Sequence, residues 1–99
     1  MEAVLVEFDV DHNNATECVE ALTELMRSFV SKQPKFHSGT IHIEPSTGKV
    51  LNYMIWESAA DFIAFRDKNL DTIGPAIGRF SPQGRMLEIA NRIESDNDA

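Results

Sequence analysis

Cysteine is almost missing from this chain. Its one cysteine, Cys18, cannot form an internal disulfide, so disulfide-stapled secreted scaffolds are excluded and a reducing cytoplasm is the expected home. Basic charge is scarce as well. Nine Lys and Arg stand against sixteen Asp and Glu, for a net charge of -7, which argues against binding to nucleic-acid phosphates or anionic membranes. No apolar run approaches the roughly 20 residues of a membrane span. Met1 is followed directly by Glu2 and a strand-like run, so no secretory leader is expected. Internal repeats, a phosphate-binding loop, a serine triad and a paired-carboxylate motif are all lacking. What is there is an ordinary globular composition in 99 residues, enough for one domain. A chain this short buries only about 60–65% of the surface it exposes when unfolded, so it gains much from a partner.

Hydrophobic periodicity divides residues 1–93 into four strands and two main helices. The run from Ala3 to Val10 is rich in β-branched residues and places Val4, Val6, Phe8 and Val10 on one face. Asp11 to Asn14 reads as a turn, with Asn14 as helix N-cap and Glu17 three residues on, in the manner of a capping box. The helix is expected to run to about Lys32, with Cys18, Leu22, Leu25, Met26, Phe29 and Val30 on its buried stripe, and to end before Pro34. His37 to Glu44 and Lys49 to Trp56 form two further strands. A three-residue loop of Ser46, Thr47 and a left-handed Gly48 pairs Pro45 with Lys49 and sets His42 opposite Asn52. Ser58 caps a second helix that buries Phe62 and Phe65, with Asp61 at its third position. Gly74, Pro75, Gly78 and Pro82 break residues 70–82 into short turns and loop. Gly84 to Ile93 is the last strand, and the polar tail over Glu94 to Ala99 is expected to be disordered.

The order β-α-β-β-α-β is that of the ferredoxin-like split unit, an α+β fold with an antiparallel sheet. Its helices cover one sheet face. The second hairpin is apolar on both faces: Ile41, Ile43, Leu51, Tyr53 and Ile55 on one, Val50, Met54 and Trp56 on the other. An antiparallel sheet with one wet face alternates more cleanly than this. A second copy packed face to face would cover the exposed side, and a twofold dimer is the commonest way to do so.

His42, Asn52, Met54 and Trp56 share one face in that register. Asn is poorly suited to the middle of a strand, and an amide flanked by Val50, Leu51, Tyr53 and Met54 must be buried and seek hydrogen-bond partners. Singly, Trp56 reads as a core aromatic, Asn52 as an amide satisfying a bulge or helix end, and His42 as a solvated strand residue. Together, an amide, an indole N–H and an imidazole aimed into an apolar space make a small ligand pocket. Asp9, Asp11 and His12 form a solvated acidic edge before they form a metal site. Cys18, on the buried stripe, reads as a small core residue rather than a nucleophile.

The motifs Q-P-K-F (Gln33 to Phe36), G-T-I-H (Gly39 to His42) and N-Y-M-I-W-E-S (Asn52 to Ser58) resemble the antibiotic biosynthesis monooxygenase family, over roughly the first two-thirds of the chain. The resemblance implies a dimeric α+β barrel. The N-x-x-x-W spacing is similar to that of the polyketide anthrone oxygenases, which use no metal, flavin or haem. By that likeness Asn52, Trp56 and His42 are catalytic, Val6, Met54, Phe62 and Phe65 bind substrate, and Arg79 approaches from the 70–82 segment. The implied substrates are a small hydroquinone or anthrone and O₂. The substrate loses a proton, its anion passes an electron to O₂, and the recombined peroxide loses water to leave a quinone. The chain departs from the pattern at Val6, where some anthrone oxygenases carry a second Asn, at Phe62, where one branch has Tyr, and at Lys35, usually Gly. The haem-degrading branch fits less well, because Ala3 to Val10 holds no Asn, Phe65 sits where its helix Trp would be, and Pro75 takes its His position. A non-redox isomerase or cyclase of a small carbonyl compound on the same scaffold, and a ligand-binding dimer without turnover, are the alternatives.

Overall fold

The computed structural model describes residues 1–97, so the last two residues of the expected tail lie outside them. The elements are β1 (Glu2–Phe8), α1 (Ala15–Ser28), β2 (Phe36–Ile43), β3 (Val50–Trp56), α2 (Ala59–Lys68), α3 (Leu70–Ile77) and β4 (Gln83–Glu88). All strand pairs are antiparallel and the sheet order is β2-β3-β1-β4. This is the expected ferredoxin-like α+β architecture.

Strand alternation sorts the sheet into two faces. Val4, Val6 and Phe8 of β1 pair with Met54, Asn52 and Val50 of β3, and all six are buried on the face beneath the helices. From α1, Cys18, Leu22, Leu25 and Met26 close over them. Phe62 and Phe65 of α2 and Ile77 of α3 complete the core. The other face carries Ala3, Leu5, Leu51, Tyr53, Ile55 and Leu87 and has no helix on it.

Local chemistry explains most of the boundaries. Ser58 caps α2 as expected: its Oγ accepts from the Asp61 N–H at 3.1 Å and donates to Asp61 Oδ2 at 2.8 Å. Gly48 has φ +78°, and a Cβ there would strike the His12 backbone nitrogen, so the loop requires glycine on both counts. Asn14 does not cap α1. Its Oδ1 instead accepts from the Asp11 N–H at 3.0 Å, tightening the preceding turn. The α-helix stops at Ser28, and Val30–Lys32 continue as one 3-10 turn.

Three further expectations are corrected. Residues 70–77 form a helix despite Gly74 and Pro75, because burial of Ile77 against the core, with Ile73 packed beside it, outweighs the backbone bond that Pro75 removes. The last strand ends at Glu88 rather than Ile93. Its neighbour β1 begins at Glu2, which pairs with Glu88, so no strand remains for later residues to join. The hairpin register is also shifted by one. Glu44, not Pro45, pairs with Lys49: the Glu44 N–H donates to the Lys49 carbonyl at 2.8 Å. The Thr47 N–H donates to the Glu44 carbonyl at 3.3 Å, which closes a turn with Pro45 in second position, where its fixed φ belongs. Ile41 therefore lies opposite Asn52, and Ile43 opposite Val50, on the helix-covered face. His42 lies opposite Leu51 on the open face.

Candidate active site

Between the inner sheet face and the helices lies a cavity of about 180 Å³. Val6, Asn52, Met54 and Gly84 form its floor, Leu22, Leu25 and Met26 of α1 one wall, and Phe62, Phe65 and Arg66 of α2 another. Ile73 and Ile77 of α3 close the side. The lining is apolar apart from Asn52 and Arg66. For scale, a dry apolar cavity of about 150 Å³ is large enough to hold benzene.

Asn52 is the one buried polar residue among those described, 2% exposed. Its Nδ2 donates to the Met26 sulfur at 3.4 Å. Met26 reaches that position because β2 offers Gly39 there: a Cβ at Gly39 would stand 2.8 Å from the Met26 methyl. The Asn52 Oδ1 has no partner among the described residues. Neither does the Nε1 of Trp56, which is 1% exposed. A buried amide oxygen without a donor costs about 1–3 kcal/mol, so its place in the cavity floor calls for an explanation.

The structure brings some predicted site residues together and separates others. Val6, Asn52, Met54, Phe62 and Phe65 all line the cavity. Trp56 shares their face but stands behind the wall. Its ring packs against Phe65 at 5.2 Å, Phe36 at 5.5 Å and Phe62 at 5.6 Å between centroids. His42 is exposed on the opposite sheet face, its Nε2 2.7 Å from Thr40 Oγ1, so the expected His42–Asn52 pairing is corrected by the one-residue register shift. Arg79 also lies outside the cavity lining. It stacks over Phe80 at 4.4 Å, donates to the Ala76 carbonyl at 2.9 Å and pairs with Glu17 at 3.5 Å. Several cavity residues escaped the sequence reading as site members, Met26 and Arg66 among them. Met26 was legible only as a core position on its helix stripe. Arg66 follows Phe62 by four residues on α2, a spacing that sets both side chains on one helix face.

The remaining polar clusters are structural. His12 bonds the Pro45 carbonyl at 2.9 Å and pins the hairpin loop, and no group of metal-ligating side chains is found among the described residues. Burial pushes the Cys18 thiol up to about 11, against a smaller opposing pull from the Arg79 charge, which makes it a poor nucleophile. The His37 hydrogen bond to Glu57, 2.8 Å long, holds that exposed carboxylate below its ordinary range. No helix among the described residues is long and apolar enough to cross a membrane.

The sheet order and the helices packed on one face give the fold that solved antibiotic biosynthesis monooxygenases share. The chain is similar to a monooxygenase from the gene ActVA-Orf6 of Streptomyces coelicolor, solved with the ligand nanaomycin D, at a TM-score of 0.80 and 21% identity over 96% of this chain and 92% of that one. It is also similar to SnoaB, a cofactor-independent oxygenase from Streptomyces nogalater, at a TM-score of 0.75 and 14% identity, covering 95% of this chain and 98% of the other. A further antibiotic biosynthesis monooxygenase structure matches at a TM-score of 0.72 and 10% identity, over 92% of this chain and the whole of its own. No protein-family model matches the chain, and no curated protein sequence matches it.

Proposed function

We propose that the protein is a cofactor-independent monooxygenase that oxidises a small hydroquinone- or anthrone-type aromatic to a quinone with O₂. The observation that carries this reading is the apolar cavity, open to water at one end, with Asn52 in its floor and its amide oxygen unpartnered. The structural likeness to oxygenases of this type supports it. The volume suits one or two aromatic rings better than three.

The chemistry asks little of the protein beyond binding, charge stabilisation and exclusion of water. Asn52 Oδ1 accepts the substrate hydroxyl and fixes its orientation. As the substrate loses its proton, the Asn52 amide N–H not used by Met26 stabilises the growing negative charge on oxygen. The anion gives one electron to O₂, the radical pair recombines to form a C–O bond, and the peroxide anion takes back the proton released in the first step. The resulting hydroperoxide loses the remaining hydrogen of that carbon together with OH from the O–O bond, as water. One oxygen atom ends as the new carbonyl and the other in water, so no external reductant enters. Among the described residues no histidine or carboxylate lines the cavity, so the substrate's own acidity carries the first step. His42, on the far face, is not the base.

The reading includes a homodimer, formed by two open sheet faces, working in the cytoplasm on a small aromatic and O₂. One observation favours a second reading, ligand binding without turnover: Trp56 is packed among three aromatic rings rather than exposed to the cavity. Oxygen-electrode traces with metal- and flavin-free protein and a panel of dihydroxynaphthalenes and anthrone separate the two. Uptake above the buffer rate, reduced in Asn52→Ala, supports oxygenation. Tight binding with no uptake across the panel supports the second reading. Trp56→Phe keeps the packing and removes the N–H, so it reports whether that hydrogen serves the reaction.

A further inference from the structure

Arg66 is the only charged side chain that lines the cavity among the described residues. It is half-buried, and its guanidinium carbon lies 5.9 Å from the Phe62 ring centroid, at the α2 wall. Only its Nε is engaged, by Asp67 Oδ1 at 3.1 Å. That pair is exposed on both sides, 42% and 60%, so it holds the guanidinium weakly. Neither terminal nitrogen has a partner among the described residues. A guanidinium with both Nη groups unengaged presents the fork that matches a carboxylate in two parallel hydrogen bonds. Its setting in a chain of net charge -7 makes the position more telling, since the surface at large repels anions. Across the cavity, the buried Asn52 Oδ1 calls for a hydroxyl donor.

From this pairing we infer that Arg66 is a specificity-determining residue, and that the ligand is an aromatic of one or two rings with a phenolic hydroxyl at its buried end and a carboxylate at the other. This deepens the proposed function and rests on its reading of the cavity as an aromatic site. The hydroxyl goes to Asn52, the rings lie among Val6, Met54 and Phe65, and the carboxylate meets Arg66 where the cavity opens toward water. The cation binds the substrate without entering the oxidation, so its loss acts on affinity and KM and spares the chemical step.

The test is isothermal titration calorimetry with two probes of one skeleton, 6-hydroxy-2-naphthoate and 2-naphthol, at pH 7. The wild type is expected to prefer the naphthoate by about 10- to 100-fold, the range for a charge-assisted bond pair. Arg66→Gln should abolish that preference and leave 2-naphthol binding within twofold, and Arg66→Lys should recover part of it. Raising salt should erode the preference, because the site is open to water. Equal binding of both probes by the wild type, unchanged in Arg66→Gln, overturns the Arg66 assignment and leaves the cavity reading intact. Binding of neither probe by a folded wild type overturns the cavity reading, and the assignment falls with it.

Discussion

The two faces of the sheet are built from the same strands yet have different fates. On the inner face Val4, Phe8, Val50 and Trp56 are each no more than 1% exposed, sealed by α1, α2 and α3. On the outer face Tyr53 is 38% and Leu87 39% exposed, and Leu5, Leu51 and Ile55 are half-buried. The polar residues differ in the same way. Inside stands one amide with an unsatisfied oxygen, and outside Glu7 is surrounded by Arg85 at 2.7 Å and Lys49 at 3.6 Å, which hold its carboxylate below the ordinary range. The comparison teaches that polarity is placed against its solvent. The dry face keeps a polar oxygen without a partner among the described residues, and the wet face keeps exposed apolar side chains. Both break the usual sorting of polar and apolar groups, and such breaks are expected where function sits.

The largest effect should come from placing a charge on the sealed face. Val4 is fully buried, so Val4→Asp strands a carboxylate without a partner in a domain with only about 5–15 kcal/mol of stability. No folded soluble protein is expected, as read by circular dichroism of the purified variant. Next is Tyr53→Asp on the open face. If two copies meet there, burying about 2,000 Å² or more in total, the charge is desolvated in the dimer and both assembly and fold are lost. Light scattering that shows a native-like monomer of this variant, or of the wild type at micromolar concentration, would erase the distinction in partner dependence between the faces.

Asn52→Leu sharpens the contrast in another way. It removes the unsatisfied amide and fills the space, so the melting temperature should hold or rise, while turnover falls by about 10²–10³-fold. A variant that loses stability and keeps its rate would mark Asn52 as a packing residue. A smaller effect concerns Cys18 beneath α1. With its thiol raised from 9.0 to about 11, the thiolate fraction at pH 8 drops about 100-fold, and alkylation should slow accordingly until the chain unfolds. The sign for stability follows: the folded value lies above the unfolded one, so the contribution of the buried neutral thiol is complete below about pH 9 and is lost as pH rises through about 11. Difference melting curves of wild type and Cys18→Ala between these values test it. The smallest effect is His42→Ala, expected to change turnover less than twofold, because its ring lies on the face away from the cavity.

Much of this molecule was readable along the chain. The period-two run of β1, the 3–4 stripe of α1, the Ser58–Asp61 cap and the left-handed Gly48 are local signals, decided by side chains a few residues apart, and each appears where it was expected. Asn52 and Met54 were legible as pocket residues for the same reason, since strand parity settles which way they point, whereas Val6, Phe62 and Phe65 came to the site only through the family resemblance. The hairpin register was not. Both faces of β2 and β3 carry apolar residues, so the hydrophobic pattern fits two registers equally, and only the closure of the Glu44–Thr47 turn chooses between them. That choice of one residue moves His42 to the open face and Ile41 to the core. The limit of β4 was likewise settled by its neighbour, since a strand lasts only as long as its partner. The sequence by itself determined the four strands and two main helices in their order, the fold class and the amide in the cavity floor. Tertiary structure alone decided which charged group shares that cavity, because Arg66 and Asn52 meet only after helix and sheet have packed, and no local spacing encodes that distance.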